Sequence, residues 1–177
     1  MRIVALPESW RDRALIVTEI AEPERWLAAD DVPEFRLDKQ RDAWMLSRIA
    51  GLELARRRDL PPSLVRTEAL SFSHSGAYGA AAIGERAGID IEVPRVIPPG
   101  AAHLFLTDEE IAIADQCAID NALLHFWCAK EAAWKRHGGA IPTLKRVPLR
   151  LLGETPEGLQ FEEVETFAGE LFAALTR

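Results

Sequence analysis

The sequence predicts an α+β protein made of two similar lobes, residues 1–86 and 87–177, each a small antiparallel sheet packed on one long helix. Three observations point there. Apolar residues recur at helical spacing between Asp38 and Arg58. A second helical run ends at His137, where Gly138-Gly139 stops it. Strand-like stretches lie between these helices, over residues 69–93, and again after the second one, over 147–175.

Taken in order, Arg2 to Ala5 reads as a short opening strand, and Ala14 to Ile20 as a second, although its apolar run fits a helix as well. Residues 24–35, with acids at Asp30, Asp31 and Glu34 and a break at Pro33, carry no single pattern. Asp38 is the expected N-cap of the first long helix, on which Trp44, Met45, Ile49, Leu52 and Leu54 form the apolar stripe; Pro61-Pro62 lie beyond its end. Ala69–Ser73, Tyr78–Ile83 and Ala87–Val93 read as a three-stranded meander, with Gly84-Glu85-Arg86 as a turn. A proline-rich connector, residues 94–100, leads to Thr107 and Glu110, which have the spacing of a capping box for a helix to about Gln116. Asp120 is the expected cap of the second long helix. Strand patches at 147–152, 159–164 and 170–175, punctuated by Gly153, Gly158 and Gly169, give an antiparallel finish.

Composition limits the function. The chain has 177 residues, 48% hydrophobic and 28% charged, with a net charge of −7, so it suits a folded globular protein and offers no basic nucleic-acid surface. The charge is uneven: residues 1–70 hold 12 Lys and Arg against 13 Asp and Glu, and residues 71–177 hold 9 against 15. A cation is expected in the second half and an anion in the first. Two cysteines cannot form a disulfide framework, the N-terminal residues become charged too early for a secretory core, and no apolar run has the length of a membrane span. The expectation is a cytoplasmic protein that does not engage membranes.

Four stretches carry candidate chemistry. In Gly88-Ile89-Asp90-Ile91-Glu92, strand alternation sends Asp90 and Glu92 to one face, where they repel unless a cation joins them; a short acidic strand edge is the commoner meaning of such a pair. Trp127, Glu131 and Lys135 recur every four residues and share one helix face, as a surface Glu–Lys pair also would. Ser73-His74-Ser75-Gly76 places hydroxyls, an imidazole and a glycine at a strand end, suited to an anionic ligand, although a lone His is more often structural. Arg41 and Arg48, seven apart, mark either a solvated basic flank or a phosphate pocket. Arg56-Arg57-Arg58, and Lys145, Arg146 and Arg150, are basic patches that would suit an acidic partner or simply face water.

In this order, Ser73-His74-Ser75, Gly88-Ile89-Asp90-Ile91-Glu92 and Trp127-Cys128-Ala129-Lys130-Glu131 with Lys135 resemble the motifs of the 4′-phosphopantetheinyl transferases, in the two-lobed branch typified by the surfactin-synthetase activator. Phe105 and Glu109 fall where that family has F-x-x-x-E. The likeness covers residues 70–145 and is thin before them. It implies transfer of the phosphopantetheine arm from coenzyme A to a serine of an apo acyl or peptidyl carrier protein, at a site between the lobes. It further implies Mg²⁺ held by Asp90, Glu92 and Glu131, with Glu131 as base for the serine and Lys135 on the diphosphate. Ser73 and His74 would meet coenzyme A phosphates and Arg41 the 3′-phosphate, while Lys130 would be structural. Because 87 residues precede Gly88, the single-lobed trimeric branch is disfavoured and a monomer is expected. A relative that binds coenzyme A or a carrier without transfer, and a metal-dependent phosphohydrolase, are the competing readings.

Overall fold

The computed structural model describes residues 1–28, 32–67 and 69–177; the acids Asp30 and Asp31 fall outside them. The chain divides into two compact units, Met1–Arg86 and Ala87–Arg177, and both are α+β with an antiparallel sheet.

In the first unit, β1 (Arg2–Ile3), β2 (Ala14–Thr18), β3 (Leu70–Ser75) and β4 (Tyr78–Ile83) form a sheet in the order β1-β2-β4-β3, with α1 (Asp38–Arg57) packed on it. The ambiguous run at Ala14 is a strand, buried at every position. Its burial decides the matter: β-branched and aliphatic residues with covered faces on both sides suit an interior strand. Ala80, Ala81 and Ala82 of β4 are fully covered, and a Cβ on Gly79 would collide with the backbone of Leu46 and Ser47 in α1. Small residues in β4 therefore let the helix backbone approach the strand closely.

Two details of α1 differ from expectation. Asp38 is its first residue, not its cap; Leu37 holds the cap position without a side-chain hydrogen bond. The acid still lies in the first turn, where the helix dipole favours it. At the other end Asp59, at φ 54°, takes the left-handed position that follows the helix. Asp59 N–H bonds Arg56 O at 3.3 Å and Leu60 N–H bonds Ala55 O at 2.9 Å, a Schellman closure without glycine. Arg56 and Arg57 are committed to Glu53, which is 3% exposed and accepts from both, at 2.7–2.9 Å. The Arg56 hydrogen bonds lead in holding the Glu53 carboxyl below its ordinary range.

The expected meander is only half present. β3 and β4 pair through the turn at Gly76, whose φ is 57°, but β2 lies on the other side of β4, where the third strand would have gone. That third strand, β5 (Ile89–Glu92), belongs to the sheet of the second unit.

In the second unit β5, β6 (Leu151–Thr155), β7 (Gly158–Phe161), β8 (Val164–Ala168) and β9 (Phe172–Thr176) run in the order β5-β9-β8-β7-β6. The tail thus holds four strands where three patches were read. The connector contains a single helical turn, α2 (Pro99–Ala102), begun by proline. Thr107 caps α3 (Asp108–Ala114) with the full predicted capping box: Glu110 N–H donates to Thr107 Oγ1 at 3.2 Å and Thr107 N–H to Glu110 Oε2 at 2.9 Å. The long helix α4 (Ala122–Arg136) starts at Asn121, φ 55°, with no side-chain cap; Asp120 does not cap it. Gly138 and Gly139 close α4 as expected, with N–H groups on Lys135 O (2.9 Å) and Trp134 O (3.3 Å).

α4 covers β9, β5 and β8. Ala129, Ala132 and Ala133 share a well-buried core with Ala174 and Phe172 of β9, and Phe126 lies edge-on to Phe161 at 5.0 Å. Among these apolar neighbours stands His125, fully covered and tilted edge-on to Phe172. Thr166 Oγ1 donates to Leu159 O and accepts from Leu159 N–H, so the ring Nδ1–H, 2.8 Å from Oγ1, is a donor too. Nε2 is left as a buried acceptor without a partner. A second ring proton would have nowhere to go, and burial lowers the His125 pKa to about 4.

This predicts an acid-sensitive fold. The unfolded chain takes the proton near the ordinary value of 6.5, the folded chain only near 4, so stability is complete above 6.5 and falls as pH drops between the two. At about 1.4 kcal/mol per unit, the loss reaches about 3–4 kcal/mol. Urea unfolding of His125→Asn between pH 7 and 4.5 is expected to show a shallower pH slope than the native chain; an equal slope refutes the assignment.

Candidate functional site

β5 and α4 bring together most of the predicted site residues. Ile89 and Ile91 turn into the core, 0% and 1% exposed, which sends Asp90 and Glu92 to the opposite face as alternation requires. The glycine that opens the motif has a mechanical role. A Cβ on Gly88 would strike the carbonyl oxygen of Ala132 in α4, and Gly88 is tied to β9 by Gly88 N–H to Thr176 Oγ1 (2.8 Å) and Thr176 N–H to Gly88 O (2.9 Å). Strand and helix thus meet backbone to backbone at Ala132, the residue after Glu131 and one turn before Lys135.

Lys135 Nζ donates to Asp90 Oδ1 at 2.8 Å and to Ile89 O at 3.0 Å. Trp127 Nε1–H donates to Glu92 Oε1 at 3.0 Å, and Arg95 Nη2 reaches the same oxygen at 3.1 Å. Trp127 itself rests edge-on against Phe105, with ring centroids 5.0 Å apart. Glu131, half-buried on the same helix face, feels Asp90, Glu92 and Lys135. Burial raises its pKa first, the carboxylates of Asp90 and Glu92 raise it further, and Lys135 opposes them. The neighbouring Cys128 thiol is held well above its ordinary pKa by burial and by Asp90 and Glu92, so it is an inert filler.

Beneath this face Lys130 is completely buried. Its Nζ donates to Glu110 Oε1 at 2.7 Å and to Val147 O. Glu110 therefore serves both the α3 cap and the α4 lysine, while Glu109, the residue matching the family pattern, faces solvent. The structural role expected of Lys130 is what the geometry shows.

The first-unit candidates sit as follows. Ser73 is buried in β3 opposite Ala80, and His74 is exposed opposite Gly79. Gly76 of the same motif serves the β3–β4 turn. Arg41 lines a groove of about 660 Å³ with Pro23, Phe35 and Met45, flanked by Asp38 and Asp42 at 3.7 and 3.3 Å. Arg48 stacks on Phe72 at 3.8 Å and on Trp44 at 4.9 Å, so its cation is spent on aromatic faces within α1 and β3.

Asp90, Glu92 and Glu131 are hard oxygen donors of the kind Mg²⁺ takes, and their mutual effect on Glu131 marks them as neighbours. As they stand, Lys135, Arg95 and Trp127 hold two of the three. Among the described residues no three His, Cys, Asp or Glu side chains are placed to hold a metal ion together. The donor chemistry thus fits the ion, in an arrangement where the chain's own cations occupy the carboxylates. Sequence reasoning missed Arg95, the Trp127–Glu92 bond and the Glu110–Lys130 bond. Only the last had a signal, since Lys130 follows Phe126 by four residues and precedes Ala133 by three, on the apolar side of its helix.

No helix among the described residues is long and apolar enough to cross a membrane. No curated protein matches the chain. Residues 86–168, which hold β5, α4 and every carboxylate and lysine of this site, match the family model of the 4′-phosphopantetheinyl transferase superfamily.

Proposed function

We propose that the protein transfers the 4′-phosphopantetheine arm of coenzyme A to a serine of an apo acyl or peptidyl carrier protein, in a Mg²⁺-dependent reaction that releases adenosine 3′,5′-bisphosphate. The observation that carries this reading is the convergence of Asp90, Glu131 and Lys135 within the matched segment. The serine Oγ forms a bond to the phosphorus that bears the pantetheine arm. The bond from that phosphorus to the bridging oxygen breaks, and its electron pair leaves with the bisphosphate. Glu131 accepts the serine proton; its raised proton affinity brings it toward the working pH of a general base. Lys135 donates to the diphosphate and offsets the charge that grows on the leaving oxygen. Asp90, Glu92 and Glu131 would hold Mg²⁺, which when bound screens the diphosphate and polarises its phosphoryl oxygens. By the same resemblance Ser73, His74 and Arg41 are assigned to the phosphates of coenzyme A. The chain is placed in the two-lobed branch, working as a cytoplasmic monomer.

Incubation with coenzyme A, Mg²⁺ and apo carrier proteins, read by intact mass, is expected to show addition of one phosphopantetheine unit. Lys135→Ala is expected to slow the transfer by about 10²-fold, as loss of one preorganised donor does, and Asp90→Ala by at least as much. Transfer by Asp90→Ala at the native rate would sink the proposal. Coenzyme A breakdown without a carrier would point to a phosphohydrolase instead.

A further inference from the structure

Glu92 Oε1 carries two donors, Trp127 Nε1–H at 3.0 Å and Arg95 Nη2 at 3.1 Å. A carboxylate oxygen has two lone pairs, so this oxygen reaches a metal ion only when one donor withdraws. The two donors are unequally fixed. Trp127 is set in α4 and pinned by Phe105. Arg95 follows the end of β5 in the connector, with 42% of its side chain exposed, and lies over the Trp127 ring at 5.4 Å. An exposed ion pair of this kind is weak, so Arg95 is the one that can leave.

We propose that Arg95 is a resident counter-ion of Glu92: it neutralises this carboxylate while no divalent ion is bound and departs when one arrives, leaving Trp127 to keep Glu92 oriented. Together with Lys135 on Asp90, it supplies from within the chain two positive charges, the number Mg²⁺ would bring. This rests on the Mg²⁺ reading above. Metal entry thereby exchanges one cation for another instead of filling a bare acidic pocket, and the guanidinium is lifted off the Trp127 ring as it does so.

The test uses the whole chain without coenzyme A. Calorimetric titration with MgCl₂ is expected to show Arg95→Gln binding the ion about two- to fivefold tighter than the native chain, the range an exposed ion pair allows, while Arg150→Gln, another exposed cation of this unit, leaves affinity unchanged. Tryptophan emission should shift on adding MgCl₂ to the native chain, and this shift should shrink in both Arg95→Gln and Trp127→Phe. Equal or weaker binding by Arg95→Gln overturns the counter-ion role and leaves the metal reading standing. An equal gain in Arg150→Gln reduces it to general charge and also overturns it. Absence of heat and emission change in every variant overturns the metal reading itself, and the counter-ion with it.

Discussion

Replacing Lys130 with alanine is expected to cost about 3–5 kcal/mol, the usual penalty for stranding one member of a buried ion pair. Lys130 is 0% exposed and its ammonium is shared between Glu110 Oε1 and the Val147 carbonyl. Without it, a carboxylate and a main-chain acceptor stay buried with less to receive, and Glu110 is also the residue that closes the α3 capping box. Glu110→Gln leaves the opposite fault, a buried cation facing an amide, while its side-chain oxygen still accepts from Thr107 N–H. The double variant Lys130→Met with Glu110→Gln removes both charges and is expected to cost far less than the two single changes added together. Urea unfolding followed by circular dichroism measures all of these. A double variant as damaged as the sum of the singles would show that the two residues act independently.

The second large effect is expected at Gly88. Its added Cβ would meet the main-chain carbonyl of Ala132, which no rotamer change can relieve. Gly88→Ala must push α4 away from β5, at about 3 kcal/mol, the upper end for overpacking a closed interior. Function should fall further than stability. Separating the two elements draws Glu131 and Lys135 from Asp90, and a misplacement of about 1 Å can cost about 10²-fold in rate. Gly100→Ala is the control, because a Cβ there meets nothing within 4 Å. Thermal unfolding, with carrier modification measured well below the melting temperature, separates the two consequences. Native-like activity in Gly88→Ala would mean that helix and strand need not touch.

These two positions show what the sequence discloses and what it withholds. The faces of β5 and α4 were legible, since alternation and a repeat of four residues are local rules that burial obeys: Ile89 and Ile91 are inside, and Trp127, Glu131 and Lys135 share a side. The partner of β5 was not. Alternation assigns a strand its faces and says nothing about its neighbour, so the local meander was the natural reading, and β2, a buried strand from far earlier, took the place beside β4. Helix starts were legible where a side chain does the capping, as Thr107 does, and misread at Asp38 and Asp120, where the backbone alone makes the turn. Arg41 illustrates a further limit. A pattern of arginines cannot reveal that Asp38 and Asp42 stand beside one and aromatic rings beneath another. The Arg95 contact arises in a connector with no period to read.

The pairing of β5 with β9 sets an order of events during synthesis. Asp90 lies opposite Ala174, so the strand bearing two of the three carboxylates emerges from the ribosome long before the strand that holds it in its sheet. The first unit completes its own hairpin and helix packing from residues already made, whereas the second must keep an acidic strand and the apolar face of α4 waiting for residues 172–176. Pairings so distant along the chain form slowly, and the interval exposes Ile89, Ile91 and the alanine face of α4 to other chains. A nascent chain arrested before β9 has emerged should therefore hold a folded first unit and a second that is still vulnerable to proteases and to aggregation.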